Sequence, residues 1–328
     1  MALGADAAFR KRSCLNKKIE RNSDPAQTDS ALPVAGNGQS GEAIIGRLRA
    51  ATGLAAVAVV TPPMMLAQYV ALRTGLFSDR VLPPLWHRFA LKVLGIRLHV
   101  VGEIVRDRPL LIACNHVSWT DIMVAGAAAP VNFVAKAEIS RWPFAGTLAR
   151  LQRTVFVERE RRRASGEQAG EVAGRLVAGD AMLLFAEGTT GDGNLMLPFK
   201  STLFGAASMT VEAGRAESVV IQPMAIAYTR FHGMPMSRHG RMRASWIGDS
   251  ALLPHLMDLL KEGAIDVEVH FGAPVEYRGG MSRKQVALEV ERRVRALFVD
   301  AQRAPLAVRR KARAGDGNGT LPSRRERL

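Results

Sequence analysis

The stretch PLLIACNHVSWTDI, residues 109–122, joins an apolar run to a polar turn and then to the start of a second apolar run. Its first six residues have the length and composition of a buried strand. The apolar run that follows the turn, IMVAGAAA (122–129), is typical of a buried helix. A strand that leads directly into a helix is the repeating unit of α/β proteins. His116 lies in the turn and Asp121 follows five residues later, so the same stretch that indicates the fold also contains a candidate catalytic pair.

Short runs rich in apolar and β-branched residues recur along the chain and predict further strands. They are RLHVVG (97–102), VNFVAK (131–136), TVFVER (154–159), AMLLFAEG (181–188), SVVIQPMAIAY (218–228) and DVEVHFG (266–272). Helical patterns separate most of them, as in residues 161–179 and 282–300. The alternation predicts an α/β fold with a largely parallel sheet flanked by helices. Functional groups in such sheets gather at the carboxyl ends of strands, and His116 and Glu187 each follow a predicted strand.

Composition divides the chain into four segments. Residues 1–41 and 304–328 lack periodicity and are predicted to be disordered tails, the second strongly basic. Residues 42–78 contain twenty-three consecutive uncharged residues, AATGLAAVAVVTPPMMLAQYVAL, and are predicted to form a membrane-associated helical segment. Residues 79–303 have a globular pattern and are predicted to form the folded, functional domain.

Pro62 and Pro63 lie in the middle of the apolar segment. Proline lacks the backbone donor that a helix interior needs, so we expect the helical hydrogen bonding to break there. Two half-length helices that enter and leave one leaflet, and a kinked helix that spans the bilayer, are both compatible with this pattern. A buried pair of core helices is the third alternative.

The chain carries a formal charge of +15, yet 48% of its residues are hydrophobic. Such a combination favours a partner with a negative surface, either nucleic acid or an anionic membrane. Aromatic residues are few and are not interleaved with basic residues in the manner that stacks bases, so we expect a membrane surface and no nucleic acid. Two cysteines, Cys14 and Cys114, are too few for a disulfide framework and indicate a cytosolic setting.

The spacing of His116 and Asp121 constrains how they could act together. Inside one regular helix a five-residue step leaves two side chains about 140° apart. They can meet if His116 lies in the turn and Asp121 in the first turn of the helix, with Ser118 as the N-cap of a capping box. A carboxylate that accepts the Nδ1 proton would leave Nε2 free to accept a proton from a hydroxyl. An ordinary capped turn without catalytic function is the alternative.

No protein nucleophile accompanies this pair in the sequence. There is no Gly-x-Ser-x-Gly turn, and Cys114 has no second group to orient it. The substrate is therefore expected to supply its own hydroxyl. We expect no metal, because His232 and His239 lack helical ligand spacing and no His-Glu-x-x-His occurs.

These residues together resemble the 1-acylglycerol-3-phosphate acyltransferase (lysophospholipid acyltransferase) family. NHVSWTD (115–121) is similar to its Asn-His-x4-Asp motif. Further blocks follow in the family's order, namely VAKAEISRWPFAG (134–146), TVFVER (154–159), FAEGTT (185–190) and IQPMAI (221–226). The resemblance covers approximately residues 80–275.

The resemblance implies the glycerolipid acyltransferase fold and the transfer of a fatty acyl group from acyl-CoA or acyl carrier protein to a lysolipid hydroxyl, with no further cofactor. His116 would be the general base and Asp121 would orient it. The residues implied in substrate binding are Glu187, Gly188, Thr189, Arg159 and Lys136.

Two positions depart from the family's Phe-Pro-Glu-Gly-Thr-Arg block, because Ala186 replaces the proline and Thr190 replaces the arginine. A guanidinium binds phosphate through two parallel hydrogen bonds, which threonine cannot supply. The run FAEGTTGDGNLMLPFKSTLFGAA (185–207) resembles instead the branch that acylates lyso-ornithine lipid, whose head group carries a carboxylate and an amine. We expect that acceptor, used at the cytoplasmic face of a bacterial inner membrane. Acylation of 1-acylglycerol-3-phosphate, and a non-catalytic basic membrane-binding module, are the alternatives.

Overall fold

The computed structural model of the chain describes residues 38–158, 164–247 and 250–303. The predicted disordered tails, 1–41 and 304–328, lie outside these ranges except for residues 38–41, which belong to the first helix. A formed helix extends by single residues at little cost, which explains why it continues into a segment of low helix propensity. The chain divides into two units, Met1–Ala43 and Ile44–Leu328, and all the strands lie within the second.

The described residues form helices, strands and two short 3₁₀ turns. The helices are α1 Gly38–Thr74, α2 Leu82–Leu94, α3 Asp121–Ala128, α4 Ala145–Leu151, α5 Ala164–Val177, α6 Gly205–Glu212, α7 Arg238–Ala244, α8 Leu252–Glu262 and α9 Arg283–Arg303. The strands are β1 Ile96–Val101, β2 Leu110–Cys114, β3 Asn132–Lys136, β4 Val155–Val157, β5 Ala181–Phe185, β6 Ser218–Phe231, β7 Met234–Pro235, β8 Ile265–Phe271 and β9 Val275–Arg278. The 3₁₀ turns are Ala137–Arg141 and Ser201–Phe204.

The strands form one sheet in the order β1-β8-β6-β2-β5-β3-β4, with β7 and β9 paired to β6. All pairs along this order are parallel except β6 with β8, and β7 and β9 also run antiparallel to β6. The predicted α/β fold with a largely parallel sheet flanked by helices is therefore confirmed.

Strand β2 lies at the centre of the sheet, and all five of its residues have no exposed surface. Leu110, Ile112 and Cys114 face the apolar layer formed with α2 and α3, whereas Leu111 and Ala113 face the layer formed with α5 and α9. Helices that cover both faces of a parallel strand account for its uninterrupted apolar sequence.

The register of the central strands determines where the functional side chains come together. Cys114, the last residue of β2, lies opposite Phe185, the last residue of β5. His116 and Glu187 each follow two residues later, so the two parallel strands deliver them to the same edge of the sheet.

Helix α1 continues through Pro62 and Pro63 as one helix, so of the alternatives that the sequence left open the two half-length helices do not form. Two prolines in an interior turn forfeit hydrogen bonds, but tertiary contacts on both sides of the prolines hold this helix. Residues Ile44–Thr74 are long and apolar enough to cross a membrane by length and composition.

Polar contacts help to dock α1 against the domain, beside Ala50, which is buried in the apolar core. Arg49 donates to a backbone carbonyl at the C-terminal end of α8 at 2.6 Å. Trp86 of α2 donates through its indole N–H to Thr61 at 3.1 Å, and Gln68 donates to two backbone carbonyl oxygens at 2.8 and 3.1 Å. Helix α1 is therefore docked along the folded domain over a stretch of about five turns.

Candidate active site

The His116 and Asp121 side chains meet at the carboxyl end of β2. His116 Nδ1 lies 2.9 Å from Asp121 Oδ2. His116 is in the turn after β2 with 18% of its side chain exposed, while Asp121 is the first residue of α3 and is completely buried. Because Nδ1–H donates to the carboxylate, Nε2 is left as the proton acceptor of the neutral ring.

The Asp121 carboxylate is held by three further donors. Oδ2 accepts the backbone N–H of Val117 at 2.6 Å and of Ser118 at 3.0 Å, and Oδ1 accepts the Tyr228 hydroxyl at 2.7 Å. Burial and the nearby Asp121 charge raise the pKa of the Tyr228 phenol well above its usual value, so the phenol remains a donor. A carboxylate removed from water needs such donors, and here they also fix the direction in which it orients His116.

Ser118 does not cap α3 through its hydroxyl, contrary to the prediction. Its Oγ is buried and has no hydrogen-bond partner among the described residues. The Asp121 N–H that the hydroxyl would have accepted is instead bonded to the Ser118 backbone carbonyl at 3.0 Å. Only the reciprocal half of the capping box forms, in which the Asp121 carboxylate accepts the Ser118 N–H.

The imidazole of His116 lies flat on the ring of Phe185. The ring centroids are 3.9 Å apart and the planes are inclined by 12°. Phe185 ends β5, and the sequence indicated it only as a strand residue, because the stacking depends on the register of β2 and β5. This aromatic surface limits rotation of the imidazole that Asp121 already orients.

Glu187 is buried and connects the turn that carries His116 with the loop that follows β5. Its Oε1 accepts the backbone N–H of His116 and its Oε2 that of Leu197, both at 3.1 Å. Burial raises the pKa of Glu187 to about 7 in spite of these two hydrogen bonds, which lower it. Gly191 of the same loop donates to the His116 carbonyl at 2.8 Å, so both backbone polar groups of His116 are fixed by this loop.

Gly188 occupies a position that a larger residue could not take without displacing its neighbour. Its φ is +75°, and a Cβ there would lie 2.9 Å from Lys200 Nζ. Lys200 thus places an ammonium group over the turn that carries Glu187, a feature that no sequence motif indicated. Thr189 is exposed beside it.

The two cationic candidates from the sequence have different outcomes. Lys136 ends β3, is about half exposed and pairs with Glu138 at 3.3 Å, and the structure gives it no contact with His116 or Glu187. Arg159 lies outside the described residues. Cys114 is buried, and burial raises the pKa of its thiol, which does not suit a nucleophile.

Asn115 and Tyr228 are site residues whose roles sequence reasoning missed. Asn115 joins β2 to β6 through two bonds with the backbone of Ile226, at 2.9 Å from its Nδ2 and 2.8 Å to its Oδ1. Tyr228 was included in a predicted strand, and a buried phenol in an apolar strand needs a hydrogen-bond partner. That rule could have indicated that the Tyr228 hydroxyl has a hydrogen-bond partner, but it could not have identified Asp121 as that partner.

The chain is similar in sequence to known acyltransferases. The family model described as "Acyltransferase" matches residues 96–227. The lyso-ornithine lipid O-acyltransferase of Brucella abortus is 49% identical over 259 residues, which is 79% of this chain and 97% of that protein. The protein of the same name from Rhizobium meliloti is 46% identical over 75% of this chain and 84% of its own length.

A solved structure supports the fold. The 1-acyl-sn-glycerophosphate acyltransferase PlsC from Thermotoga maritima superposes with a TM-score of 0.55 at 22% identity. The match covers 79% of this chain and 97% of that structure.

Proposed function

Since the chain belongs to the acyltransferase family, we propose that it transfers a fatty acyl group from a thioester to the free hydroxyl of lyso-ornithine lipid. Its family and its relatives make it an acyltransferase, and the names of the relatives support a lysolipid as the class of acceptor. The observation that carries the proposed chemistry is the buried, four-donor Asp121 carboxylate that orients His116 with Nε2 free.

The proposed reaction needs no protein nucleophile. His116 Nε2 accepts the proton of the acceptor hydroxyl as that oxygen attacks the thioester carbonyl carbon, and Asp121 stabilises the imidazolium that forms. The new C–O bond creates a tetrahedral intermediate. The C–S bond then breaks, and the imidazolium returns its proton to the departing thiolate. The products are an ester and a free thiol.

Two features support lyso-ornithine lipid as the acceptor. Two relatives that are 49% and 46% identical carry that activity in their names, and they match 79% and 75% of this chain. Thr190 also lacks the guanidinium that would bind a phosphate through two parallel hydrogen bonds. Acyl-CoA or acyl carrier protein would be the donor, and the Lys200 ammonium beside Gly188 is a candidate contact for its anionic groups.

Membrane association through α1 completes the proposal. The face of α1 opposite its docking contacts exposes large apolar side chains, with 68% of Ile45, 64% of Leu48, 73% of Val59 and 65% of Leu66 accessible. Apolar side chains exposed along a docked helix are stabilised when they are buried in lipid. We propose that α1 lies along the cytoplasmic surface of the inner membrane, where a soluble donor can meet a lipid acceptor.

A direct comparison of acceptors tests the function. Purified protein in lipid vesicles would be given a labelled acyl thioester and either lyso-ornithine lipid or 1-acylglycerol-3-phosphate. We expect acylation of lyso-ornithine lipid with a kcat/KM at least tenfold higher than for the phosphate compound. Acylation of the phosphate compound alone would overturn the proposed acceptor, and transfer to neither would overturn the proposed function.

A further inference from the structure

The replacement of the family's arginine by Thr190 leaves open which residues bind the acceptor's charged head group. An inference on this question rests on the proposed function, in which the head group carries one carboxylate and one ammonium group. The loop directly after Thr190 has the sequence GDGN, residues 191–194. Its neighbour in the fold is α7, a short helix rich in arginine.

Both the GDGN loop and the α7 region contact the turn after β2 that carries His116. The backbone N–H of Gly191 donates to the carbonyl of His116 at 2.8 Å. The backbone N–H of Trp246, just after α7, donates to the carbonyl of Val117 at 3.0 Å. Gly193 of the loop lies between the turn after β2 and α7, because a Cβ on it would be 3.1 Å from Val117 Cγ1 and 3.5 Å from Arg241 Cβ. Arg241 is therefore one residue's width away from the turn that carries the proposed base.

Arg241 is a cation without a carboxylate partner in the part of the chain that the structure describes. One of its terminal nitrogens donates to Asn194 Oδ1 at 3.3 Å, while its Nε is buried without a partner. Burial and the neighbouring Arg238 charge lower the pKa of Arg241. A partly buried cation is costly unless an anion compensates it, so this position is suited to a negatively charged ligand.

Asp192 supplies the opposite charge in the same loop. Its Oδ1 accepts the backbone N–H groups of Asn194 at 2.9 Å and Leu195 at 3.1 Å. The Asn194 side chain lies between the two charges, with its Nδ2 3.4 Å from Asp192 Oδ2 and its Oδ1 turned to Arg241. Among the described residues Asp192 and Arg241 form no ion pair with each other, so each retains capacity for a ligand.

We propose that Arg241 and Asp192 form the head-group site of this enzyme. Arg241 binds the carboxylate of the acceptor and Asp192 binds its ammonium group, with Asn194 holding the two charges apart. The same arrangement selects against 1-acylglycerol-3-phosphate, because that lipid has no cation for Asp192 and its phosphate would be repelled by the Asp192 carboxylate.

Acceptor analogues that each lack one charge test the assignment. The 3-hydroxyacyl amide of putrescine has the amine of the ornithine lipid without its carboxylate, and the amide of norvaline has the carboxylate without the amine. Arg241→Gln is expected to lower kcat/KM for lyso-ornithine lipid and the norvaline amide by about 10- to 100-fold, as for loss of a charge-assisted hydrogen bond, and to leave the putrescine amide unchanged. Asp192→Asn, whose Oδ1 can still accept the two loop N–H groups, is expected to affect lyso-ornithine lipid and the putrescine amide and to spare the norvaline amide.

Ratios between acceptors within one variant make the test independent of partial misfolding, which lowers all rates together. Arg243→Gln is the matched control, because it removes the same charge from the same helix but Arg243 pairs with Glu262. Its acceptor ratios are expected to equal those of the wild type. Equal losses on all three acceptors in Arg241→Gln and Asp192→Asn, a complete loss included, or no loss on any, would overturn the head-group assignment. A wild-type enzyme that fails to acylate lyso-ornithine lipid would instead overturn the proposed function on which the assignment rests.

Discussion

Asp121 has no exposed surface, and its carboxylate accepts four hydrogen bonds, from His116, Val117, Ser118 and Tyr228. An ionised carboxylate cut off from water depends on such donors, because each unmade bond in a buried site costs about 1–3 kcal/mol. The same four bonds leave the carboxylate a single orientation toward the imidazole. At this residue the requirement of folding and the requirement of the proposed catalysis coincide.

Tyr228→Phe tests the contribution of the donor that the sequence did not reveal. The change leaves Asp121 Oδ1 without its 2.7 Å partner, so we expect about a tenfold lower kcat and a free energy of unfolding lower by about 1–3 kcal/mol. Enzyme kinetics and urea unfolding measure the two effects. Thr120→Val is the control, because the Thr120 hydroxyl contacts the Tyr228 hydroxyl but not Asp121. Equal losses of kcat in both variants would contradict a specific role for the bond to Asp121.

Glu187 gives a second test at this scale, through the pH dependence of stability. Its pKa is about 7 in the folded protein against an ordinary 4.5, and burial is the main cause. The folded state therefore binds this proton more tightly, so the stabilisation is complete below about pH 4.5 and is lost as the pH rises through about 7. A difference of that size corresponds to about 3 kcal/mol.

Glu187→Gln removes this titration. Between about pH 5 and pH 8 the free energy of unfolding of the wild type should fall by up to about 3 kcal/mol relative to the variant, which urea titrations at several pH values would detect. Unfolding curves whose pH dependence is the same in both proteins would contradict the inferred pKa.

At the scale of elements, local patterns predicted the strands well because each is a short apolar run bounded by polar or turn residues. All seven predicted strands form, and the helices predicted over 161–179 and 282–300 correspond to α5 and α9. Local patterns predicted less well where tertiary contacts outweigh local rules. In α1 the surrounding domain keeps the chain helical across the two prolines. The predicted Ser118 cap does not form for a related reason. The Asp121 N–H that its hydroxyl was expected to accept is bonded to the Ser118 backbone carbonyl instead.

The site shows the same division between local and long-range information. His116 and Asp121 are five residues apart, and their contact followed from a turn and a helix start. Tyr228 lies 107 residues from Asp121, so its contact depends on the order of strands in the sheet, which the sequence pattern does not specify. The packing of Arg241 against the GDGN loop likewise depends on tertiary structure alone.

The exposed face of α1 leads to a prediction about this element. Val59→Glu combined with Leu66→Glu places two charges on that face and leaves Arg49, Thr61 and Gln68 to dock the helix. Each apolar side chain buried in lipid contributes about 1.5–3 kcal/mol, so binding to anionic vesicles should weaken at least tenfold with little change in unfolding temperature. Vesicle sedimentation measures the binding.

Leu288→Glu combined with Val177→Glu is the matched control for this variant, because it adds the same two charges at side chains that are 58% and 45% exposed on α9 and α5, which pack on the other face of the sheet. Its vesicle binding should equal that of the wild type. Unchanged binding by the α1 variant, or equal loss in the control, would contradict the proposed membrane surface.

At the scale of the whole molecule, the proposed activity brings together a water-soluble thioester, a lipid hydroxyl and a base. The base comes from the turn after β2, its support from the loop after β5, and the final donor from β6. The formal charge of +15 favours approach to anionic lipid, and in our proposal α1 supplies the apolar contact. This arrangement of the turn, the loop, β6 and α1 serves the proposed acyl transfer only if His116 is the base.

Acyl transfer to lyso-ornithine lipid by purified His116→Ala protein is the most direct test of that claim. General base catalysis contributes about 10²–10⁴-fold, so we predict at least a 100-fold lower kcat at an unfolding temperature close to that of the wild type. His232→Asn, at an exposed histidine whose positive φ asparagine tolerates, should retain full activity. A folded His116→Ala enzyme that keeps more than about a tenth of the wild-type turnover would contradict the account, since loss of the base should cost at least tenfold more than that.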